Sequence, residues 1–97
     1  MDILITNFRL AERTASEVYS ADLARLLSDG FNRVAVLASK QGRLADELSA
    51  EGVTIISHPS ELPFHPDIIH GHCNLETMIA LLSFPNTPAV YLCHSHF

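Results

Sequence analysis

Asp67-Ile-Ile-His-Gly-His-Cys73 and Ala89-Val-Tyr-Leu-Cys-His-Ser-His-Phe97 are the two stretches that decide the fold. Each is a short apolar run that ends in histidines, and together they hold four of the six His and both Cys of the chain. In a parallel α/β sheet, ligands bind outside the carboxyl ends of the strands. We therefore expect these two strand ends to carry the chemistry of the protein.

The rest of the chain alternates between strand-like and helix-like patterns. Short apolar runs predict strands, and apolar residues at helical spacing between capping residues and glycines predict helices. The predicted strands are Ile3–Thr6, Val34–Ala38, Val53–Ile56, Ile68–His72 and Pro88–Cys93. One helix is predicted after Thr14, a second over Gly42–Glu51 and a third after Asn74. The third has apolar residues at helical spacing, namely Leu75, Met78, Ile79 and Leu82. Polar or Pro-rich connections are predicted at Asn7–Arg13 and Pro59–Pro66.

This order of elements predicts the fold class. It indicates one α/β domain over residues 1–97, with a Rossmann-like parallel sheet of about five strands, flanking helices and right-handed crossovers. A sheet order of 3-2-1-4-5 follows from the Rossmann pattern. The switch point then lies between strands 1 and 4, so that the Asn7–Ser16 loop and the His70–Asn74 turn share one crevice, with the end of strand 5 alongside.

Composition excludes several classes of function. The chain has 97 residues and a net charge of -5, and its six basic residues are scattered, which argues against nucleic acid as a partner. Because no apolar run approaches the ~20 residues of a membrane span, no span is expected. Met1–Thr6 lacks the basic start of a secretory leader, and two Cys are too few for a disulfide framework. A cytoplasmic location is the resulting prediction.

Four histidines are the first candidates for a site. His70 and His72 are two apart in the fourth strand and share one face; His72 is at the end, where it can reach the crevice, whereas His70 lies deeper and is typical of a hydrogen-bonded core histidine. His94 and His96 repeat this spacing after the fifth strand. Neutral imidazole both donates and accepts, which suits sugar hydroxyls or proton transfer near neutral pH.

The loop after the first strand leads into a helix that begins with Thr14-Ala-Ser-Glu17. This is a capping-box pattern, in which Thr14 caps the helix and Glu17 reaches back to its amide. A helix N-terminus favours an anion, and Arg9 and Arg13 add positive charge. The loop contains no glycine, so the dinucleotide fingerprint is absent, and a capped helix with solvated arginines is the simpler interpretation.

The turn after the fourth strand carries two further polar residues. Asn74 is a plausible N-cap of the last helix. Glu76 falls in the first turn of that helix, where a negative charge is favourable.

A metal site is an alternative use of the same strand ends. His72, Cys73, Cys93, His94 and His96 supply enough nitrogen and sulfur ligands for zinc. Their spacing matches no standard zinc motif, and Cys residues more often serve as small buried hydrophobes.

The strands resemble those of a known family. Asp67-Ile-Ile-His-Gly-His72 resembles the Pro-Asp-apolar-apolar-His-x-His strand of glycosyl transferase family 4. Pro88-Ala-Val-Tyr-Leu-Cys-His94 resembles the following strand, which in that family often ends in a histidine at the cleft. Met1–Thr6, Leu23–Gly30 and Val34–Leu37 resemble the opening βαβ unit of the family, so the resemblance covers the whole chain.

The resemblance implies a retaining glycosyltransferase of the GT-B type, built from two Rossmann-like domains that face a cleft. Residues 1–97 would form the N-terminal, acceptor-side half. Its partner would be a C-terminal domain that holds most of the nucleotide sugar, and the fragment alone would be inactive. The donor would be a nucleotide sugar and the acceptor a glycan or small molecule, with no metal and no other cofactor.

The resemblance also implies site residues. By position, His94 matches the cleft histidine beside the transferred sugar and is the expected catalytic residue. The expected substrate-binding residues are Thr14, Ser16, Glu17, His72, Asn74 and His96. The family's frequent Gly-Gly pair after the first strand is absent, and Thr14-Ala15 stands near that place.

Two alternatives come from other functional classes. One is a stand-alone module that binds a small anion or nucleotide in the crevice, and the other is a metal-binding module. Apolar surface near Tyr91 and Phe97 further predicts a homo-oligomer.

Overall fold

The computed structural model describes residues 1–10, 15–30, 32–72 and 75–92. The strands are β1 (Asp2–Leu10), β2 (Arg33–Gln41), β3 (Thr54–Ile56), β4 (Ile68–His72) and β5 (Ala89–Leu92). The helices are α1 (Ala15–Ser28), α2 (Arg43–Ala50) and α3 (Leu75–Ser83), and Pro59–Glu61 forms a short 3-10 turn. In the described parts of the chain, no helix is both long and apolar enough to cross a membrane.

The five strands form one parallel sheet in the order β3-β2-β1-β4-β5. The predicted α/β class and strand order are therefore confirmed. Since the chain runs outward in both directions from β1, the switch point lies between β1 and β4. The carboxyl ends of these strands define the crevice.

Two apolar cores cover the two faces of the sheet. On one face, Ile3, Ile5 and Val36 pack with buried residues of α1 and α2. On the other face, Leu4 and Ile69 pack with Ala80 of α3 and with the segment that follows the 3-10 turn. Because β1 is buried on both faces, its first residues are continuously apolar, as is typical of a central parallel strand.

β1 and β2 are longer than predicted. The predicted loop after the first strand begins as strand, since Asn7, Arg9 and Leu10 pair in parallel with Ala38, Lys40 and Gln41. The apolar run ends at Thr6, but the backbone ladder does not need apolar side chains and continues past it. The predicted end of α2 is confirmed: Gly52 follows with φ of +94°, a conformation that favours glycine.

α3 forms where predicted, but its apolar residues face outward. Leu75, Met78 and Leu82 are 64%, 59% and 77% exposed. Glu76, Thr77 and Ala80 are buried instead. Close packing explains this, because a Cβ atom on Gly71 of β4 would lie only 2.5 Å from Cγ2 of Thr77. At this contact of α3 with β4, a side chain on Gly71 does not fit beside Thr77.

The amino ends of the strands carry exposed ion pairs. Nε of Arg33 donates to Asp2 at 2.8 Å, and Nε of Arg25 donates to Glu51 at 2.9 Å. The hydrogen bond from Arg33 is the main cause that lowers the pKa of the Asp2 carboxyl below its ordinary value. The hydrogen bond from Arg25 lowers the pKa of Glu51 in the same way.

Candidate functional site

A group of polar side chains lies at the carboxyl ends of the central strands, and we call it the carboxyl-edge cluster. It contains residues from β1, β2 and the two helices that follow β1 and β4. Its members are Thr6, Asn7, Ser20, Ser39, Glu76 and Thr77. All of them except Ser39 are buried.

The end of β1 is bonded to a helix on each face of the sheet. The hydroxyl groups of Thr6 and Thr77 are 2.6 Å apart, which joins β1 to α3. The next residue points to the opposite face, where Nδ2 of Asn7 donates to the hydroxyl of Ser20 in α1 at 2.8 Å. Buried polar groups need partners, so these bonds fix both helices beside the switch point.

Glu76 is the charged member of the cluster. Its side chain is 3% exposed, and one carboxylate oxygen accepts a hydrogen bond from the hydroxyl of Ser39 in β2. Its other oxygen, Oε1, is buried and has no hydrogen-bond partner in the described part of the chain. A buried acceptor without a partner costs about 1–3 kcal/mol. The position of Glu76 in the first turn of α3 offsets part of this cost, since the helix dipole favours a negative charge there.

His70 lies in β4 on the face that α1 covers. Its ring is half-buried, and its centroid is 6.2 Å from that of Tyr19 in α1. This location agrees with the prediction that His70 belongs to the interior rather than to the strand end. The backbone of His72 is at the last position of β4, paired with Leu92 of β5.

Glu17 is the predicted site residue that the structure describes most fully. It lies in the first turn of α1 and is 1% exposed. Ser16 belongs to the same turn by its backbone. Both therefore lie in the first turn of α1, and their role in substrate binding stays a prediction.

Several predicted residues lie outside the described parts of the chain. They are Thr14, Asn74, His94 and His96, together with the alternative zinc ligands Cys73 and Cys93. Within residues 1–10, 15–30, 32–72 and 75–92, no group of three or more His, Cys, Asp or Glu residues is arranged to hold a metal ion.

None of the six residues of the carboxyl-edge cluster is among the predicted site residues, and Glu76 is predicted only as a favourable charge in the first turn of α3. Thr6 and Asn7 give a detectable signal, because two polar residues end a buried apolar run. Ser39 gives a similar signal at the end of β2. Their partners Ser20 and Thr77 give none, since single Ser and Thr residues are common in helices.

The hydroxyls and the amide of the cluster are bonded to one another, so within the described residues the second oxygen of Glu76 is the acceptor that stays available. The backbones of Arg9 and Lys40 pair just beyond the cluster, at the carboxyl ends of β1 and β2. Comparison with models of protein families, with curated proteins and with solved structures finds no match to this chain.

Proposed function

We propose that this domain is the N-terminal, acceptor-side half of a retaining glycosyltransferase that transfers a sugar from a nucleotide sugar to an acceptor hydroxyl. The observation that carries the proposal is the carboxyl-edge cluster at the switch point between β1 and β4. Ligands of parallel α/β sheets bind at that place. Within the described residues, the carboxylate of Glu76 keeps one oxygen available, which is suited to a sugar hydroxyl. The sequence resemblance of β4 and β5 to glycosyl transferase family 4 adds the reaction type.

The proposal gives each strand end a role. His94, after β5, lies beside the transferred sugar, and His72 at the end of β4 contacts the acceptor. The remaining contacts are assigned to Thr14, Ser16, Glu17, Asn74 and His96. The nucleotide sugar is a substrate, and no further cofactor is needed. A second Rossmann-like domain completes the cleft.

The chemistry is the exchange of one bond at the anomeric carbon. The bond from that carbon to the leaving phosphate oxygen breaks, a bond to the acceptor oxygen forms, and the proton of the acceptor hydroxyl passes to the departing phosphate. Positive charge develops on the sugar ring between these events, as in glycoside cleavage generally. A hydrogen bond from a neutral histidine orients the sugar without adding a competing positive charge.

The test uses the complete protein encoded by the gene that contains residues 1–97. Labelled nucleotide sugars are incubated with it, and transfer to acceptors or to water is measured. We expect turnover of one nucleotide sugar, with a loss on the order of 10²-fold in His94→Ala, as is typical when one transition-state hydrogen bond is removed.

His58→Ala is the matched control, because His58 is exposed and its Nδ1 is bonded locally to Ser60. The control should keep its activity. The proposal is overturned if the complete protein turns over no nucleotide sugar, or if the two histidine variants lose activity equally.

A further inference from the structure

The second oxygen of Glu76 is a binding group without a partner. The side chain is 3% exposed, Oε2 accepts from Ser39, and Oε1 is left without a hydrogen bond in the described residues. We propose that Glu76 binds a hydrogen-bond donor of the ligand, a hydroxyl or an ammonium group, and that this part of the crevice excludes phosphate. The inference rests on the proposed function where it assigns this hydrogen-bond-donating group to the acceptor substrate.

The position of the carboxylate supports this role. Glu76 stands in the first turn of α3, which follows β4, and it reaches Ser39 near the end of β2. Between these strands lies β1, whose Thr6 is bonded to Thr77, the neighbour of Glu76. The carboxylate therefore lies at the carboxyl ends of β2, β1 and β4, which are adjacent in the sheet. Ligands of such sheets bind at these ends.

A ligand can reach the carboxylate from the side of Ser39. Ser39 is exposed, although its partner Glu76 is not. The last torsion of a Glu side chain is broad, so a small rotation brings the second oxygen towards the serine without a backbone movement. A ligand donor can then bind one oxygen while Ser39 holds the other.

The chemistry of the group selects the ligand. An ionised carboxylate only accepts hydrogen bonds, and its two oxygens offer about four acceptor sites, of which Ser39 uses one. Sugar hydroxyls and ammonium groups are donors and fit this site. Phosphate is an anion and is repelled by this carboxylate, whose charge the dipole of α3 and the exposed Lys40 beside Ser39 only partly offset. The phosphates of the nucleotide sugar are therefore expected elsewhere. This part of the crevice is left for the acceptor substrate.

The experiment titrates the ¹⁵N-labelled 97-residue chain with methyl α-D-glucopyranoside, D-glucosamine and inorganic phosphate. We expect the two sugars, but not phosphate, to shift the backbone amides of residues 39–41 and 75–77. Glu76→Gln presents a donor in place of the free acceptor and should weaken sugar binding at least about tenfold, as loss of a hydrogen bond to a charged group does.

Asp29→Asn is the matched control, because it removes one carboxylate from an exposed position near the end of α1, and its affinities should not change. The ratio of the glucosamine to the glucoside affinity separates the two ligand classes. A ratio that falls to one in Glu76→Gln identifies an ammonium ligand, whereas equal weakening of both sugars identifies a hydroxyl ligand.

Ser39→Ala is a second variant for the case that Glu76→Gln does not fold. It removes the hydroxyl that holds the other carboxylate oxygen and leaves the binding oxygen in place, so sugar binding should persist. The inference is overturned if Ser39→Ala loses binding, if Glu76→Gln binds as the unchanged chain does, if phosphate shifts the same amides, or if neither sugar binds up to its solubility.

The proposed function and the role of Glu76 can be overturned independently of each other. Transfer by the complete protein together with sugar binding that ignores Glu76 overturns this inference alone. Glu76-dependent sugar binding without any transfer overturns the proposed function alone.

Discussion

The two ends of the sheet use polar residues in opposite ways. At the amino ends of the strands, Arg33 and Arg25 form exposed ion pairs with Asp2 and Glu51. At the carboxyl ends, the polar contacts are buried and mostly neutral, as in the Thr6–Thr77 pair. Exposed ion pairs contribute little to stability because water and salt screen them.

The difference indicates what each end is for. Buried hydrogen bonds are costly to break, since a partner left alone in the interior keeps its desolvation penalty. Buried hydrogen bonds of this kind are concentrated at the carboxyl ends. They hold α1 and α3 beside the switch point, whereas the amino ends carry exposed ion pairs.

Gly71→Ala should have the largest effect on the carboxyl end. The new Cβ would lie 2.5 Å from Cγ2 of Thr77, so α3 must shift or the side chain must leave its partner Thr6. We expect a loss of about 1–3 kcal/mol in the free energy of unfolding, measured with urea.

A second substitution sharpens this prediction. Thr77→Ser removes the methyl group that clashes and keeps the hydroxyl, so the double variant with Gly71→Ala should recover most of the loss. Gly30→Ala is the control, because its Cβ would lie 3.4 Å from the nearest atom and no such clash arises. An unchanged stability in Gly71→Ala would contradict the close packing of α3.

Thr77→Val should have the next largest effect. The substitution keeps the side-chain shape and removes the hydroxyl that lies 2.6 Å from that of Thr6. We expect a loss of about 1–2 kcal/mol in urea unfolding. The Thr6→Val and Thr77→Val double variant should cost less than the sum of the single changes, because the hydrogen bond between the two hydroxyls is lost in each single change and is counted only once in the double variant. Strict additivity would show that the pair does not interact.

Arg33→Gln tests the amino end through pH. The hydrogen bond from Arg33 lowers the folded-state pKa of Asp2, so this stabilisation is present above the unfolded pKa of about 4 and is lost as pH falls through the folded value. In Arg33→Gln, the pKa of Asp2, measured by NMR, should rise towards its ordinary value.

The same variant separates the two ends. The stability difference between Arg33→Gln and the unchanged chain should shrink at acidic pH and in high salt, and the part that remains reflects the contact of Arg33 with the Phe64 ring. Thr77→Val should keep its difference under both conditions, because no charge takes part. An acid-sensitive effect of Thr77→Val would remove the contrast between the ends.

Leu82→Gln should have the smallest effect, although it replaces a large apolar residue. Leu82 is 77% exposed on α3, so little apolar contact is lost. We expect a change within about 0.5 kcal/mol, measured by urea unfolding. A loss in the free energy of unfolding as large as that caused by the same substitution of a core leucine would show that this face of α3 is covered in solution.

The sequence predicted the parts of the fold that depend on apolar patterns. β4 spans Ile68–His72 as predicted, and the strand order follows from the alternation of elements. The extension of β1 and β2 could not be predicted, because backbone pairing beyond Thr6 leaves no apolar signal. The outward apolar face of α3 has a steric cause, the contact of Gly71 with Thr77, that connects residues of different elements.

The site was harder to predict than the fold. Glu17 is expected at the site from the family resemblance, and it is buried in the first turn of α1. Glu76 was interpreted only as a favourable helix charge, because Glu is almost never fully buried and its contact with Ser39 spans 37 residues. The cluster depends on the sheet order, which brings β1, β2 and α3 together.

The strand order also sets the order in which the chain can fold during synthesis. β1 and β2 pair across 31 residues, whereas β1 and β4 pair across 65. The face of the sheet that carries Leu4 therefore cannot be covered until Ile69 and Ala80 have left the ribosome. At about 5–20 residues per second, synthesis of the chain from β2 to α3 takes a few seconds. During that interval the half-finished sheet presents an apolar face and an open β1 edge, the surfaces on which a chaperone would act.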